Sequence, residues 1–197
     1  MICFNLTGYI IYALITSISP GPNNFLLFSH CKAYGFNDVK DIMFGIFCGF
    51  VVILYTAGYG IAEIIAHNST VGYLLKIISS IWLLYLGFLL RNLNAEFKNQ
   101  TASKIGFSKA FLMQFINPKA WIMAIGGAAA FLPHYENIHL SVFVFTFIFV
   151  LIGVPCMFAW VGFGEFISRL LKTQKSNRIM GNILFGLMLI SILMIWL

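Results

Sequence analysis

Long uncharged, mostly apolar runs constrain the fold of this chain more than any motif does. Such runs cover residues 1–31, 42–62, 77–90, 120–135, 137–164 and 179–197. Several are long enough to cross about 30 Å of hydrocarbon as an α-helix. With 60% hydrophobic and 9% charged residues, the 197-residue chain also lacks the polar surface of an ordinary soluble domain. The sequence therefore predicts an integral membrane protein.

The apolar runs predict an all-α fold with six transmembrane helices. We place them near residues 5–31, 42–64, 70–90, 107–131, 139–163 and 178–197. The third and fourth become full spans only by including Lys76 and Lys119. We expect a single transmembrane domain over residues 1–197, with halves of about 1–95 and 105–197 joined by a polar loop.

The basic residues between the predicted helices indicate how the chain is oriented. Ten of them fall in the first, third and fifth connections: Lys32, Lys40, Arg91, Lys98, Lys104, Lys109, Arg169, Lys172, Lys175 and Arg178. Basic loops stay in the cytoplasm, so we predict a multi-pass membrane protein with both termini outside and the three basic loops in the cytoplasm. The net charge of +6 is then a topology signal. Membrane lipids are a sufficient partner for these charges, and no nucleic acid is needed.

Two predicted helices carry residues that interrupt a helix. The first contains Ser19-Pro-Gly-Pro-Asn-Asn24, and the fourth contains Asn117-Pro-Lys119. Proline removes a backbone donor and frees carbonyl groups, and such a backbone is tolerated at membrane depth only inside protein or beside a polar cavity. Counted from the predicted cytoplasmic ends, Pro20 and Lys119 both lie about 18 Å deep. The sequence therefore predicts two broken helices that meet near the bilayer centre.

The arrangement of these breaks favours a transporter. Three helices in each half give the two halves opposite orientations, and paired proline-interrupted helices in inverted halves are typical of a transporter binding site. A lysine within an apolar helix is costly, so Lys119 indicates a functional site.

The motifs of this chain resemble those of the LysE/RhtB family of amino-acid exporters. The similarity rests on Ser19-Pro-Gly-Pro-Asn-Asn24, on Gly45 and Gly49, on Leu86-Gly87, and on the segment from Phe107 to Trp121 that contains Gln114-Phe-Ile-Asn-Pro-Lys119. The doubled asparagine and the Gln-x-x-Asn-Pro-Lys pattern are most similar to the cysteine/O-acetylserine branch. The resemblance implies export of small amino acids or their derivatives across the inner (cytoplasmic) membrane. The substrates are of the homoserine/threonine, cysteine/O-acetylserine or lysine class, and the export is driven by an ion gradient rather than by ATP. The proton is the expected coupling ion, and a homo-oligomer is compatible with this reading.

The chemistry of a zwitterionic substrate can be matched to the two breaks. Lys119 could bind its carboxylate, while carbonyl groups freed by the prolines and side-chain oxygens could accept from its ammonium. We hypothesise that the polar helix face near Lys119 meets the first break. The candidate substrate-binding residues are Pro20, Gly21, Pro22, Asn23, Asn24, Gln114, Asn117, Pro118 and Lys119.

Structural roles are open alternatives for these residues. Asn23 and Asn24 could merely satisfy the interrupted backbone, and Lys119 could be a structural cation held by carbonyl groups. Glu63 and Glu165 lie at the ends of spans, where an interfacial role or coupling-proton transfer is open. The four tryptophans are expected to provide packing and interfacial anchoring, and the cysteines to be free thiols.

Other functions need residues that this pattern does not provide. A metal exporter requires carboxylate ligands at membrane depth, and a hydrolase requires a nucleophile beside a base. No Asp or Glu occupies a predicted mid-helix position, and neither a Ser-His pair nor an HExxH motif appears there. We therefore predict no enzyme, no cofactor and no bound metal. A membrane channel, or an exporter of another small solute or metal ion, stays the alternative because broken helices also build pores.

Overall fold

The structure is a computed structural model that describes residues 4–60, 105–170 and 174–196, together with eight residues between 70 and 88. In these residues all regular structure is helical. Seven helices have defined bounds: α1 (Leu6–Ile18), α2 (Pro22–Tyr34), α3 (Phe36–Gly58), α4 (Phe107–Ile116), α5 (Pro118–Phe131), α6 (Ile138–Leu170) and α7 (Gln174–Trp196).

Both predicted helix breaks are present. The first predicted helix is divided into α1 and α2, and the extended backbone of Ser19 and Gly21 lies between them. The fourth is divided into α4 and α5 at Asn117, whose backbone is extended as well. Pro22 and Pro118 each occupy the first position of the following helix, where the missing N–H of proline has no helical acceptor to lose.

The predicted second helix, 42–64, is wrong at both ends. The observed helix α3 begins at Phe36 and ends at Gly58. It starts early because Gly35 turns the chain within one residue, with a positive φ of 87°. Asp38 then lies in the first turn of α3, where a negative charge is favourable. As a result, Lys40 belongs to a helix and not to a loop.

Helices α6 and α7 also differ from their predicted bounds. Helix α6 continues to Leu170 rather than ending at 163, and the ion pair between Glu165 and Arg169, 2.6 Å apart, supports the added turns. Helix α7 begins at Gln174 rather than at 178. Hydropathy underestimated the length of both helices because their ends are polar.

The eight described residues between 70 and 88 are helical, consistent with the third predicted helix. Several predictions lie outside the described residues, namely those on Cys3, Glu63, Lys76, Trp82, Leu86-Gly87, Arg91, Lys98, Lys104 and Lys172.

The helix surfaces are those expected in a lipid environment. Helices α3 and α6 are long and apolar enough to cross a membrane, judged by length and composition. Large apolar side chains such as Ile15, Phe44 and Leu151 are about 60% exposed. Such exposure is unfavourable against water but not against hydrocarbon.

An aromatic core joins α1 to α5 and α6. The ring of Tyr9 stacks between Phe131 and Phe145, with ring centroids 5.5 Å and 5.1 Å away. Its hydroxyl donates to the carbonyl of Phe145 at 2.7 Å. The hydroxyl of Tyr12 donates to the carbonyl of Met123 at 3.0 Å. These two bonds, the first buried and the second partly buried, fix α1 beside the helices that follow the second break.

Glycines allow α3 to lie close against α4. A β-carbon added at Gly49 would lie 2.6 Å from Cγ of Gln114, and one added at Gly45 would overlap the Phe107 carbonyl. A β-carbon added at Gly164 of α6 would likewise lie 2.6 Å from the carbonyl oxygen of Phe28 in α2. The segments α2 and α4 are therefore each held by a glycine contact with a long helix.

Candidate functional site

Side-chain amides connect the two breaks. The amide of Asn23 donates to Oε1 of Gln114 at 2.7 Å and accepts from its Nε2 at 3.1 Å. Asn117 also donates to Oδ1 of Asn23, at 3.1 Å. The polar face of the fourth predicted helix thus meets the first break, as hypothesised. Gln114 and Asn117 are buried and Asn23 is half-buried, so most of this amide cluster lies inside the protein.

Asn24 satisfies the backbone of the first break. Its buried amide nitrogen donates to the carbonyls of Ser17 and Ser19 at 2.8 Å and 2.9 Å. These carbonyls lie at the C-terminal end of α1, where a helix leaves acceptors without partners. Asn24 therefore makes the backbone contacts that the structural alternative describes, and it also lines the cavity described below.

Lys119 reaches from α5 to the end of α1. Its Nζ donates to the Ser19 carbonyl at 2.8 Å, to the Ser19 hydroxyl at 2.7 Å and to the Pro20 carbonyl at 3.0 Å. All three N–H groups of a lysine ammonium can be used in this way. The side chain passes Gly21, where an added β-carbon would lie 2.7 Å from its Cδ. Carbonyl groups hold this cation, as the structural alternative for Lys119 expected.

A cavity of about 70 Å³ lies between the two breaks. On the same measure one water needs roughly 10–15 Å³, so the cavity has room for several waters or a small organic solute. Lys119 is the one charged side chain among its described lining residues. The lining consists of Thr16, Ser17, Gly21, Pro22, Asn23, Asn24, Ile46, Phe47, Phe50, Asn117, Lys119, Ala120, Met123, Phe149, Val150, Gly153, Val154 and Met157.

Most of the predicted site residues line this cavity, and three do not. Gln114 is fully buried and orients Asn23. Pro118 is buried at the start of α5. The carbonyl of Pro20 accepts a hydrogen bond from Lys119, but Pro20 does not line the cavity. The six that line it are Gly21, Pro22, Asn23, Asn24, Asn117 and Lys119.

Two tryptophans have a role at the breaks that sequence reasoning missed. The indole of Trp160 donates to the carbonyl of Ile18 at 3.0 Å, and that of Trp121 donates to the carbonyl of Phe115 at 3.0 Å. Each carbonyl lies in the last turn of the helix that precedes a break. A tryptophan inside apolar surroundings needs an acceptor for its N–H, and that requirement was the available signal.

The remaining candidate groups lie away from the cavity lining. Glu165 pairs with Arg169 on a partly exposed surface of α6. Cys31, Cys48 and Cys156 are free thiols. Among the residues that the structure describes, no three His, Cys, Asp or Glu side chains are grouped so that they could hold a metal ion.

The helix ends at the breaks place partial positive and partial negative charges beside the cavity. Helices α2 and α5 begin beside it, and helix N-termini carry partial positive charge. Helix α1 ends there with carbonyl groups of partial negative charge. No side chain caps the N-terminus of α2. The site therefore offers donors and acceptors to a ligand that carries opposite charges a few bonds apart.

Comparison with known proteins identifies the family of this chain. Residues 14–194 match the family described as LysE type translocator. Proteins named cysteine/O-acetylserine efflux protein from Salmonella choleraesuis (strain SC-B67) and Salmonella typhimurium (strain LT2) are 27% identical, and the one from Escherichia coli (strain K12) is 26% identical. Each alignment covers 94% of this chain and 93% of the relative. A search of solved structures finds no significant match. The family match confirms the resemblance seen in the motifs, and the chain belongs to the LysE type translocator family.

Proposed function

We propose that the protein is a secondary active exporter of small amino acids or their derivatives across the cytoplasmic membrane. The observation that carries this proposal is the cavity between the two helix breaks, which places one lysine among amide, hydroxyl and carbonyl groups. Cysteine and O-acetylserine are the first substrates to test, because the relatives are named for their efflux.

The cavity suits a small zwitterion better than a simple ion. The carboxylate of the ligand can bind the Lys119 ammonium and the uncapped N-terminus of α2. Its ammonium can donate to oxygen acceptors near the end of α1. Apolar side chains such as Phe47, Phe149 and Met157 face the rest of the ligand. The small volume favours a short side chain.

Each predicted site residue receives a role in this proposal. Lys119, Asn23, Asn24 and Asn117 contact the substrate. Gln114 orients Asn23, and the remaining residues open the backbone beside the ligand: Pro20, Gly21, Pro22 and Pro118.

The proposed mechanism is alternating access in a protein with six spans. The halves, about 1–95 and 105–197, have inverted orientations and rock around the site, with both termini outside. Breaks in α1–α2 and in α4–α5 support this proposal, because each begins its second segment with a proline. An ion gradient, with the proton as the coupling ion, supplies the energy, and a homo-oligomer is compatible with the arrangement.

Efflux from proteoliposomes tests the function directly. Vesicles are loaded with a mixture of labelled cysteine, O-acetylserine, homoserine, threonine and lysine, and release is measured with and without an imposed proton gradient. Selective, gradient-dependent efflux that Lys119→Met removes supports the proposal. A flux that neither saturates nor shows counterflow would indicate a channel instead. Absence of any flux from folded protein would exclude these substrates.

A further inference from the structure

Three oxygen atoms at the end of α1 form a small cradle around a cation. They are the carbonyl and hydroxyl oxygens of Ser19 and the carbonyl oxygen of Pro20, and they accept from Nζ of Lys119 at 2.8 Å, 2.7 Å and 3.0 Å. We call this set the Ser19 cradle. It lies at the negative end of a helix, which adds to its attraction for a positive group.

Neighbouring bonds make the Ser19 cradle a pure acceptor. The hydroxyl of Ser19 donates its own hydrogen to the Thr16 carbonyl at 2.8 Å, so only its lone pairs face the cation. The amide of Asn24 donates to the Ser19 carbonyl at 2.9 Å and holds that group in place. A carboxylate has no hydrogen to give to such a set, whereas a primary ammonium has three.

Lys119 connects the Ser19 cradle to the cavity. Its side chain lines the cavity, while Ser19 and Pro20 are not among the lining residues. A ligand in the cavity therefore meets the lysine before it meets the cradle. The lysine is tethered to the chain, but its terminal group has the same donors as the α-ammonium of an amino acid.

We propose that the Ser19 cradle is the binding subsite for the α-ammonium of the transported amino acid, and that Lys119 occupies it when no substrate is bound. The substrate ammonium displaces the Lys119 ammonium, and the released lysine pairs with the substrate carboxylate. This inference rests on the proposed export function and specifies how its substrate is recognised.

Charge balance favours this exchange for zwitterions alone. A zwitterion brings no net charge, so Lys119 supplies the same single positive charge to the described cavity lining before and after binding. An amine without a carboxylate would add a second cation beside Lys119, and an acid without an ammonium would draw Lys119 away and leave the cradle unfilled. Both changes leave a charged group without its partner, which is unfavourable where the group is partly buried.

Competition between matched analogues tests the exchange. Flux of labelled L-cysteine through wild-type proteoliposomes is measured against unlabelled L-cysteine, N-acetyl-L-cysteine, which lacks the ammonium, and cysteamine, which lacks the carboxylate, all under reducing conditions. We expect each analogue to need about tenfold or more the concentration of L-cysteine for equal inhibition. Equal inhibition by N-acetyl-L-cysteine would overturn the proposal, because the ammonium would then have no subsite.

A second measurement tests the Ser19 cradle itself and needs no transport. In the Lys119→Ala variant the cradle has lost its cation. If that variant folds poorly, Lys119→Met is used in its place. We expect methylammonium to raise the thermal unfolding midpoint of the variant in nanodiscs, and tetramethylammonium, which has no N–H group, to leave it unchanged. Wild type, whose cradle is filled, should respond to neither. Adding Ser19→Ala should reduce the response to methylammonium.

The two measurements separate this inference from the proposed function. Equal effects of methylammonium and tetramethylammonium on the Lys119 variant would overturn the cradle as an ammonium site. Absence of L-cysteine flux in wild type would instead contradict the proposed substrate, and the methylammonium response would still decide whether the cradle takes an ammonium.

Discussion

The ammonium of Lys119 lies 2.7 Å from the hydroxyl oxygen of Ser19, although the two residues are one hundred positions apart in the sequence. This contact joins the start of α5 to the end of α1. It places the charged group of the cavity directly between the two helix breaks, and several consequences of that position can be measured.

Replacing Lys119 by methionine should abolish substrate flux while leaving the protein in the membrane. The methionine side chain has a similar length but no N–H group. The Ser19 and Pro20 carbonyls therefore lose a partner, and the cavity loses the charge that Lys119 supplies. Efflux and membrane abundance are measured together. Lys109→Met is the matched control, because Lys109 is an exposed residue of α4 that does not line the cavity. Wild-type flux in Lys119→Met would remove this residue from the site.

Replacing Gln114 by leucine should weaken both stability and transport. The substitution leaves the Asn23 amide without the two bonds that it shares with Gln114. Side-chain hydrogen bonds within membranes contribute about 0.5–2 kcal/mol, so we expect a loss of that order in the free energy of unfolding. Denaturation in mixed micelles gives the value. The neighbouring Met113→Leu keeps an apolar side chain and should behave as wild type. Unchanged stability and flux in Gln114→Leu would show that the amide cluster is dispensable.

Replacing Gly49 by alanine should separate α3 from α4. The new β-carbon would lie 2.6 Å from Cγ of Gln114 and 2.8 Å from the Phe111 carbonyl oxygen, closer than real contacts allow. Overpacking of this kind costs about 1–3 kcal/mol. Gly162→Ala is the control, since nothing lies within 4 Å of its added β-carbon. A thermal unfolding midpoint equally unaffected in both variants would mean that α3 and α4 adjust freely.

Replacing Trp160 by phenylalanine should destabilise the first break without removing an aromatic ring. The Ile18 carbonyl would lose its indole donor at 3.0 Å, while an aromatic ring would still face Phe25. We expect a loss of about 0.5–2 kcal/mol in stability and a reduced flux. Trp160→Leu, which also removes the ring contact, should be worse. If the phenylalanine variant equals wild type and only leucine is harmful, packing alone explains this residue.

The sequence by itself determined the class of protein and the places where its helices break. These features act through properties of the local chain. Apolar runs favour transfer to hydrocarbon, proline lacks an N–H group, and an isolated lysine brings a charge into an apolar helix. For that reason the breaks at Pro20 and Pro118, and the need of Lys119 for acceptors, could be inferred before the fold was known. Helix ends were less predictable, because Gly35 and the Glu165–Arg169 pair lie outside the apolar runs.

The tertiary structure alone decided which groups meet. The pairing of Asn23 with Gln114 spans 91 positions, and the indole bond from Trp160 to Ile18 spans 142. Such pairings depend on how closely helices approach, which Gly49 and Gly164 permit through contacts that local sequence does not encode. The same packing determined that Lys119 binds the end of α1, because a lysine in an apolar helix requires acceptors and only the folded chain specifies where they are.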